Sequence, residues 1–231
     1  MEFYTWEPVY EALLDAFGYP RTGDEQARDR LDELLADGET YRPERLGFDG
    51  ATVAIAGAGP SLEAEADRAS EADIVLAAST AVDRLASVGV AVDAMVTDLD
   101  KNPDTGRALT ESGVPVFAHA HGDNVAAVEE HVPTYDPAFV VPTTQAAPTE
   151  GVHNFGGFTD GDRAAFTADH FGADQLVFLG WDFEDPNVAP EKREKLRWAE
   201  RLLYWLERRR DATFDVLDGR RESINALPGT D

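Results

Sequence analysis

The sequence predicts an α/β fold: a mostly parallel sheet flanked by helices on both faces, Rossmann-like, with a small N-terminal helical segment in front of it. Three observations carry this. From residue 51 onward, short apolar runs alternate with segments of helical periodicity. The runs are nearly continuous in apolar character, as strands covered on both faces must be. The polar and glycine-rich residues that stand out in the chain fall just after those runs, which is where open α/β sheets place their ligands.

The elements follow in order. Residues 5–17 and 24–36 read as amphipathic helices, the first with Val9, Leu13, Leu14 and Phe17 on one face and Gly18 as its stop. The second carries Ala27, Leu31, Leu34 and Leu35, and a linker over 38–50 leads out of it. Residues 1–48 are therefore expected as a helical segment and linker, and 49–231 as the α/β domain. Strands are expected at 52–57, 73–78, 93–97, 114–119, 138–142, 175–180 and 213–217. Helices are expected at 61–70, 80–88, 103–112, 124–131, 162–171 and 190–209. Asn102-Pro103 is a good helix start, with Asn as the cap and Pro in the first turn.

Composition narrows the function classes. A chain of 231 residues can bury a substantial core without disulfides, and it contains no cysteine. Acidic residues number 45 against 20 basic ones, a formal net charge of −25. A nucleic-acid partner is disfavoured, because phosphate backbones call for a basic face. No apolar run is long enough to span a bilayer, and the first residues do not pattern as a signal peptide, so a cytoplasmic protein without a membrane partner is expected. Self-repulsion on this scale predicts a cytoplasm rich in salt. Only Lys101, Lys192 and Lys195 are lysines.

Five motifs carry chemistry. Gly57-Ala58-Gly59-Pro60-Ser61-Leu62 follows the first strand; such a turn before a helix suits a phosphate or nucleotide, and as a plain turn it needs no ligand. In Thr97-Asp98-Leu99-Asp100, residues two apart on a strand share a side, so two carboxylates can meet a Mg²⁺ ion. Alternatively one of them caps the next helix. His119-Ala120-His121-Gly122-Asp123-Asn124 brings two of the five histidines together; a zinc or manganese site is conceivable, but phosphate binding or substrate orientation is favoured. Asn154 to Arg163 is a long glycine-rich connection with two aromatics. Its rings could stack on a planar ligand while Asn154 and Asp160 read the ligand's edge, and Arg163 in the first helical turn suits a phosphate. Lys192 and Lys195 lie one turn apart on the last helix, either as a solvated face or as a cationic clamp over a polyphosphate.

Taken in order, the segments GAGPSL (57–62), TDLD (97–100), HAHGDN (119–124), GFTDGDRA (157–164) and GWDF (180–183), with the late lysines, resemble the archaeal 6-hydroxymethyl-7,8-dihydropterin diphosphokinase family. That family is similar to thiamin diphosphokinases in its catalytic domain. The resemblance implies transfer of diphosphate from ATP to the hydroxymethyl group of a reduced pterin, with release of AMP and Mg²⁺ as cofactor, in folate or methanopterin biosynthesis. It implies that Asp98 and Asp100 hold the metal. Gly57, Gly59 and Ser61 would cradle the nucleotide, and Arg163, Lys192 and Lys195 would neutralise the diphosphate. Asn154, Phe158, Thr159 and Asp160 would contact the pterin, while His119, His121 or Asp123 orients or deprotonates the hydroxyl. Lys101 departs from the pattern, since glycine is expected after the second Asp. The GPSL turn is also similar to one in some sialyltransferases, so a nucleotide-sugar glycosyltransferase is the alternative enzyme, and a non-catalytic nucleotide-binding module the alternative outside enzymes. The N-terminal helices are free in this reading to pack on the domain, to close over the site or to form a homodimer.

Overall fold

A computed structural model describes residues 1–228. Six parallel strands form one sheet: β1 (Thr52–Ala56), β2 (Ile74–Ala78), β3 (Ala94–Thr97), β4 (Val116–Ala120), β5 (Val140–Thr144) and β6 (Gln175–Leu179). Their spatial order is β5-β4-β3-β2-β1-β6. The chain thus steps outward from β1 to β5, then returns to lay β6 on the other side of β1. The crossing is made by the helix over Asp160–His170, and the crevice between β1 and β6 is the topological switch point.

The period of two along each strand sorts the apolar residues into two cores. Val53, Ile55, Ile74, Leu76, Val96, Phe117, Val141 and Phe178 face one core, shared with α1 (Phe3–Phe17), α6 (Asp160–His170) and α7 (Pro190–Arg210). Ala54, Ala56, Val75, Ala77, Met95, Ala118 and Val140 face the other. That side is covered by α2 (Arg21–Leu35), α3 (Ala81–Ser87), α4 (Pro103–Glu111) and α5 (Val125–His131). The N-terminal helices therefore divide, one to each face of the sheet. Gly18, with φ of 69° and its amide on Leu14 O, ends α1 and turns the chain. Beyond α2, the amide of Tyr41 donates to Val140 O at 2.8 Å, alongside β5.

Two expected elements are replaced. Residues 61–70 form turns followed by a 3₁₀ segment (Ala66–Glu71), not an α-helix. Tertiary contacts override the helical periodicity there: Leu62 is fully buried, and the Glu65 carboxylate accepts from Gly180 N at 2.8 Å. The strand expected at 213–217 is a 3₁₀ turn at Asp215–Leu217. Phe214 cannot join a ladder, because its amide donates to Glu207 Oε2 (2.6 Å) and its carbonyl accepts from Arg221 (2.8 Å). The remaining strands appear within about two residues of expectation. Among the described residues no helix is long and apolar enough to cross a membrane.

Candidate functional site

The cleft at the carboxyl ends of the strands has two lobes. One lies at the switch point, between the turn 57–60, Ser79, Trp181 and Asp182. The other lies over the ends of β3 and β4, between Asp98, Asp100, His121, Asp123, Gln145, Phe158, Arg163, Lys195 and Tyr19. Lys101, Thr159, Asp160 and Lys192 line both and form the wall between them.

The glycine turn at the first lobe is built by backbone packing. Gly57 N donates to Leu179 O at 2.9 Å and Gly59 N to Gly180 O at 2.8 Å. A Cβ on Gly57 would lie 2.5 Å from Gly180 O, and one on Gly59 would lie 2.6 Å from the same oxygen. The glycines are there because the turns after β1 and β6 touch. Ser61 donates from its amide and its hydroxyl to Asp182 Oδ2, at 3.0 and 2.8 Å. The expected phosphate cradle of Gly57, Gly59 and Ser61 is corrected accordingly. These three amides already have protein acceptors, and no helix starts at residue 61. The turn serves the lobe as a wall.

The acidic turn is different. β3 ends at Thr97, so Asp98 and Asp100 are not neighbours on a strand face. They converge because buried Leu99 takes a left-handed conformation, φ 67°, with its amide on Thr97 Oγ1 at 3.0 Å. Such a backbone in a non-glycine residue costs about 1–3 kcal/mol and persists where packing over-determines it. Ser79, across the cleft after β2, also has positive φ, 45°.

The two carboxyls interact directly. Burial alone would raise Asp98, but the neighbouring His121 ring, the interaction with Asp100 and the charge of Arg163 outweigh it and hold Asp98 well below the carboxylate range. Asp100 is raised, first by burial and then by its hydrogen bond to Asp98 and the charge there. Two acids in this relation resist ionising together. His121 Nε2 lies 3.6 Å from Asp98 Oδ2. Asn124 holds the neighbouring loops together, donating to Asp98 O and His119 O at 2.7 Å each and accepting from His121 N at 2.9 Å.

Facing the acids are all three lysines of the chain, Lys101, Lys192 and Lys195. In so acidic a protein this is a local balance of charge, with Lys101, Lys192, Lys195 and Arg163 set against Asp98, Asp100, Asp123 and Asp160. Lys192 is lowered by partial burial and by the charge of Lys101. Asp160 is pushed up to about 7, chiefly by burial and then by Asp98. It accepts from Arg163 Nη1 at 3.1 Å, and Arg163 Nη2 is 3.4 Å from Gln145 Oε1. Thr159 caps α6, its hydroxyl donating to Asp162 Oδ2 at 2.7 Å. Phe158 packs on Phe17 at 5.0 Å between ring centres, and Phe17 stacks on Tyr19 at 5.4 Å.

Three expected site residues stay out of the two lobes: Ser61, whose hydroxyl is held by Asp182, and His119 and Asn154. His119 is buried on the face of β4 that carries Phe117, with Nδ1 3.1 Å from Thr143 Oγ1. Strand alternation turns it under Arg163, so it cannot touch a substrate hydroxyl. Asn154 braces its own loop: it donates to Gln145 O and Ala146 O at 2.9 and 2.7 Å and accepts from Gly156 N at 2.8 Å. Conversely, Tyr19, Ser79, Gln145, Trp181 and Asp182 line the cleft without having been singled out as ligands. Gln145 was within reach of the strand-end rule, but β5 runs to Thr144, two residues past its expected end.

Among the described residues no group of three or more His, Asp or Glu side chains could hold a metal unaided. Asp98 and Asp100 are the pair suited to a divalent ion whose other ligands are water and phosphate oxygens.

Comparison with known proteins gives a consistent result. The 6-hydroxymethylpterin diphosphokinase MptE-like family model matches residues 30–188. A 6-hydroxymethyl-7,8-dihydropterin pyrophosphokinase of Methanothermobacter thermautotrophicus is 35% identical over 232 residues, covering 93% of this chain and 99% of that one. Proteins of the same name from Pyrococcus furiosus and Methanocaldococcus jannaschii are 34% and 28% identical, each over 90% of this chain and over 95% and 96% of their own lengths.

Proposed function

The chain belongs to the MptE-like 6-hydroxymethylpterin diphosphokinase family, and from that premise we propose that it transfers diphosphate from ATP to the hydroxymethyl oxygen of 6-hydroxymethyl-7,8-dihydropterin, releasing AMP. The observation that carries this reading is the shared wall. Every lysine in the chain faces the cleft opposite two interacting carboxyls, and two of them, Lys101 and Lys192, stand between the two lobes. A diphosphate passing between two bound molecules needs that arrangement, because phosphoryl-type transfer depends mainly on positioning and on stabilising developing charge.

The lobe at the switch point takes the nucleotide, with Trp181 and the glycine turn as its walls. The lobe under Tyr19 and Phe158 takes the pterin, whose flat ring suits an aromatic wall and whose polar edge suits Asp160 and Arg163. Asp98 and Asp100 hold Mg²⁺, which when bound supplies charge to the phosphates. Lys101, Lys192 and Lys195 neutralise the moving diphosphate. His121 accepts the proton of the attacking hydroxyl, and Asp98 beside it favours the resulting imidazolium.

The test is product formation. With ATP, Mg²⁺ and the reduced pterin, AMP should appear only when the pterin is present, in equal amount to the diphosphorylated pterin. Formation of ADP, or of AMP without pterin, overturns the proposal, and binding of ATP with no turnover marks a non-catalytic nucleotide module.

A further inference from the structure

We infer that Asp24, on the N-terminal helix α2, is a positioning residue for the active site. The residue is 3% exposed, and its carboxylate accepts three hydrogen bonds from three parts of the chain. Gly122 N donates to Oδ1 at 2.7 Å, and Tyr10 Oη and Gln145 Nε2 donate to Oδ2 at 2.8 and 2.9 Å. Two of these donors belong to the site. Gly122 lies between His121 and Asp123, both on the wall of the pterin lobe, and Gln145 lines the same lobe. Tyr10 belongs to α1 and lies in the core on the other side.

A first-turn acid on a helix is commonly a solvated complement to the helix dipole. Asp24 is not, because burial of a carboxylate is tolerated only when its lone pairs are engaged. Here their engagement sets two geometries. The turn at Gly23 and the loop at Gly122 approach so closely that a Cβ on Gly23 would lie 3.3 Å from Gly122 Cα. The loop bearing His121 is thereby held against α2. The second geometry is the amide of Gln145. With Nε2 on the carboxylate, Oε1 must face the other way, toward Arg163 Nη2 at 3.4 Å. Arg163 then pairs with Asp160. Without the anion the amide can flip and present a donor to the guanidinium, which is also a donor.

The inference rests on the pterin reading for its substrate and on geometry for its mechanism. Asp24→Asn nearly preserves shape but offers one acceptor oxygen to three donors. Measured well below the melting temperature, its kcat/KM for the pterin should fall about 10–100-fold, the scale of a misplaced catalytic group. Tyr10→Phe removes one bond to the same carboxylate on the side away from the site. It should lower the melting temperature while keeping kcat/KM within about two-fold of wild type, since only α1 is released. Normal turnover by Asp24→Asn, or an equal loss in Tyr10→Phe, overturns the inference. If Asp24→Asn does not fold, Gln145→Met breaks the bridge between Asp24 and Arg163 while leaving Asp24 bonded to Gly122, and unchanged turnover there overturns it too. Absence of pterin-dependent AMP in the wild type would instead strike the functional reading. Amide hydrogen exchange over 121–124 then decides the inference: faster in Asp24→Asn than in Tyr10→Phe supports it, and equal rates overturn it.

Discussion

The glycine turn after β1 and the acidic turn after β3 sit at equivalent places, at the carboxyl ends of parallel strands, yet they do opposite work. In the first, the amides of Gly57, Gly59 and Ser61 are satisfied by Leu179, Gly180 and Asp182, so the turn is closed on itself. In the second, a left-handed Leu99 thrusts two carboxyls together, raises one of them and sets them opposite three lysines. The turn with the more suggestive motif is architecture, and the pair that is nearly uninformative in an acidic chain carries the site's charge. Charge gathered at a strand end distinguishes the acidic turn from the closed one.

The largest expected effect breaks the acidic turn. Asp98→Asn or Asp100→Asn should lower the rate of AMP formation by about 10²-fold or more, the scale for losing a charged metal ligand. The melting temperature should hold or rise in Asp100→Asn, whose carboxyl is raised by its neighbour, and hold or fall in Asp98→Asn, whose carboxylate its surroundings favour. Near-normal turnover in both variants would remove the metal role.

Gly59→Ala tests the other half of the comparison. A Cβ 2.6 Å from Gly180 O forces the two turns apart. Overpacking of this kind costs about 1–3 kcal/mol, seen as a lower urea midpoint. ATP affinity should change less than stability. The reverse pattern, intact stability with lost ATP binding, would restore the phosphate-cradle reading.

The smallest effect concerns His119, which is buried beneath the site. Its pKa lies well below the ordinary value through burial first, then the charges of Arg163 and His121. The unfolded chain takes up a proton near pH 6.5 and the folded one does not. Stability is therefore lost as pH falls below 6.5, by up to about 1.4 kcal/mol per pH unit for this one group. His119→Gln should flatten that slope. Denaturant midpoints at pH 7.5 and 5.5 measure it, and identical slopes would show that His119 is protonated in the folded state.

Much of this was legible before the structure. The strands β1 to β6 and helices α3 to α7 follow local periodicity, and Asn102-Pro103 marks the start of α4 as expected. The acids, the late lysines, Arg163, Asp160 and Phe158 all reach the cleft. The misses share a cause. Residues 61–70 have a helical pattern but must deliver Ser61 and Glu65 to partners more than a hundred residues away. Asn154 reads as a ligand in a glycine-rich loop and is consumed in holding that loop. Lys101, which stands where glycine was expected, gains a meaning only when Lys192 and Lys195 are seen with it on one cleft.

By itself the sequence determined the alternation of strands and helices, the two apolar faces of each strand and the supply of acids, lysines and glycines at strand ends. Those are local matters of period, capping and composition. Only the tertiary structure decided that β6 returns beside β1, that Gly57 and Gly59 answer to Gly180, that Leu99 is held left-handed and that α2 reaches the site through Asp24. Each of these depends on a partner far along the chain, and long-range contact is set by the packing of whole elements, which no local pattern encodes.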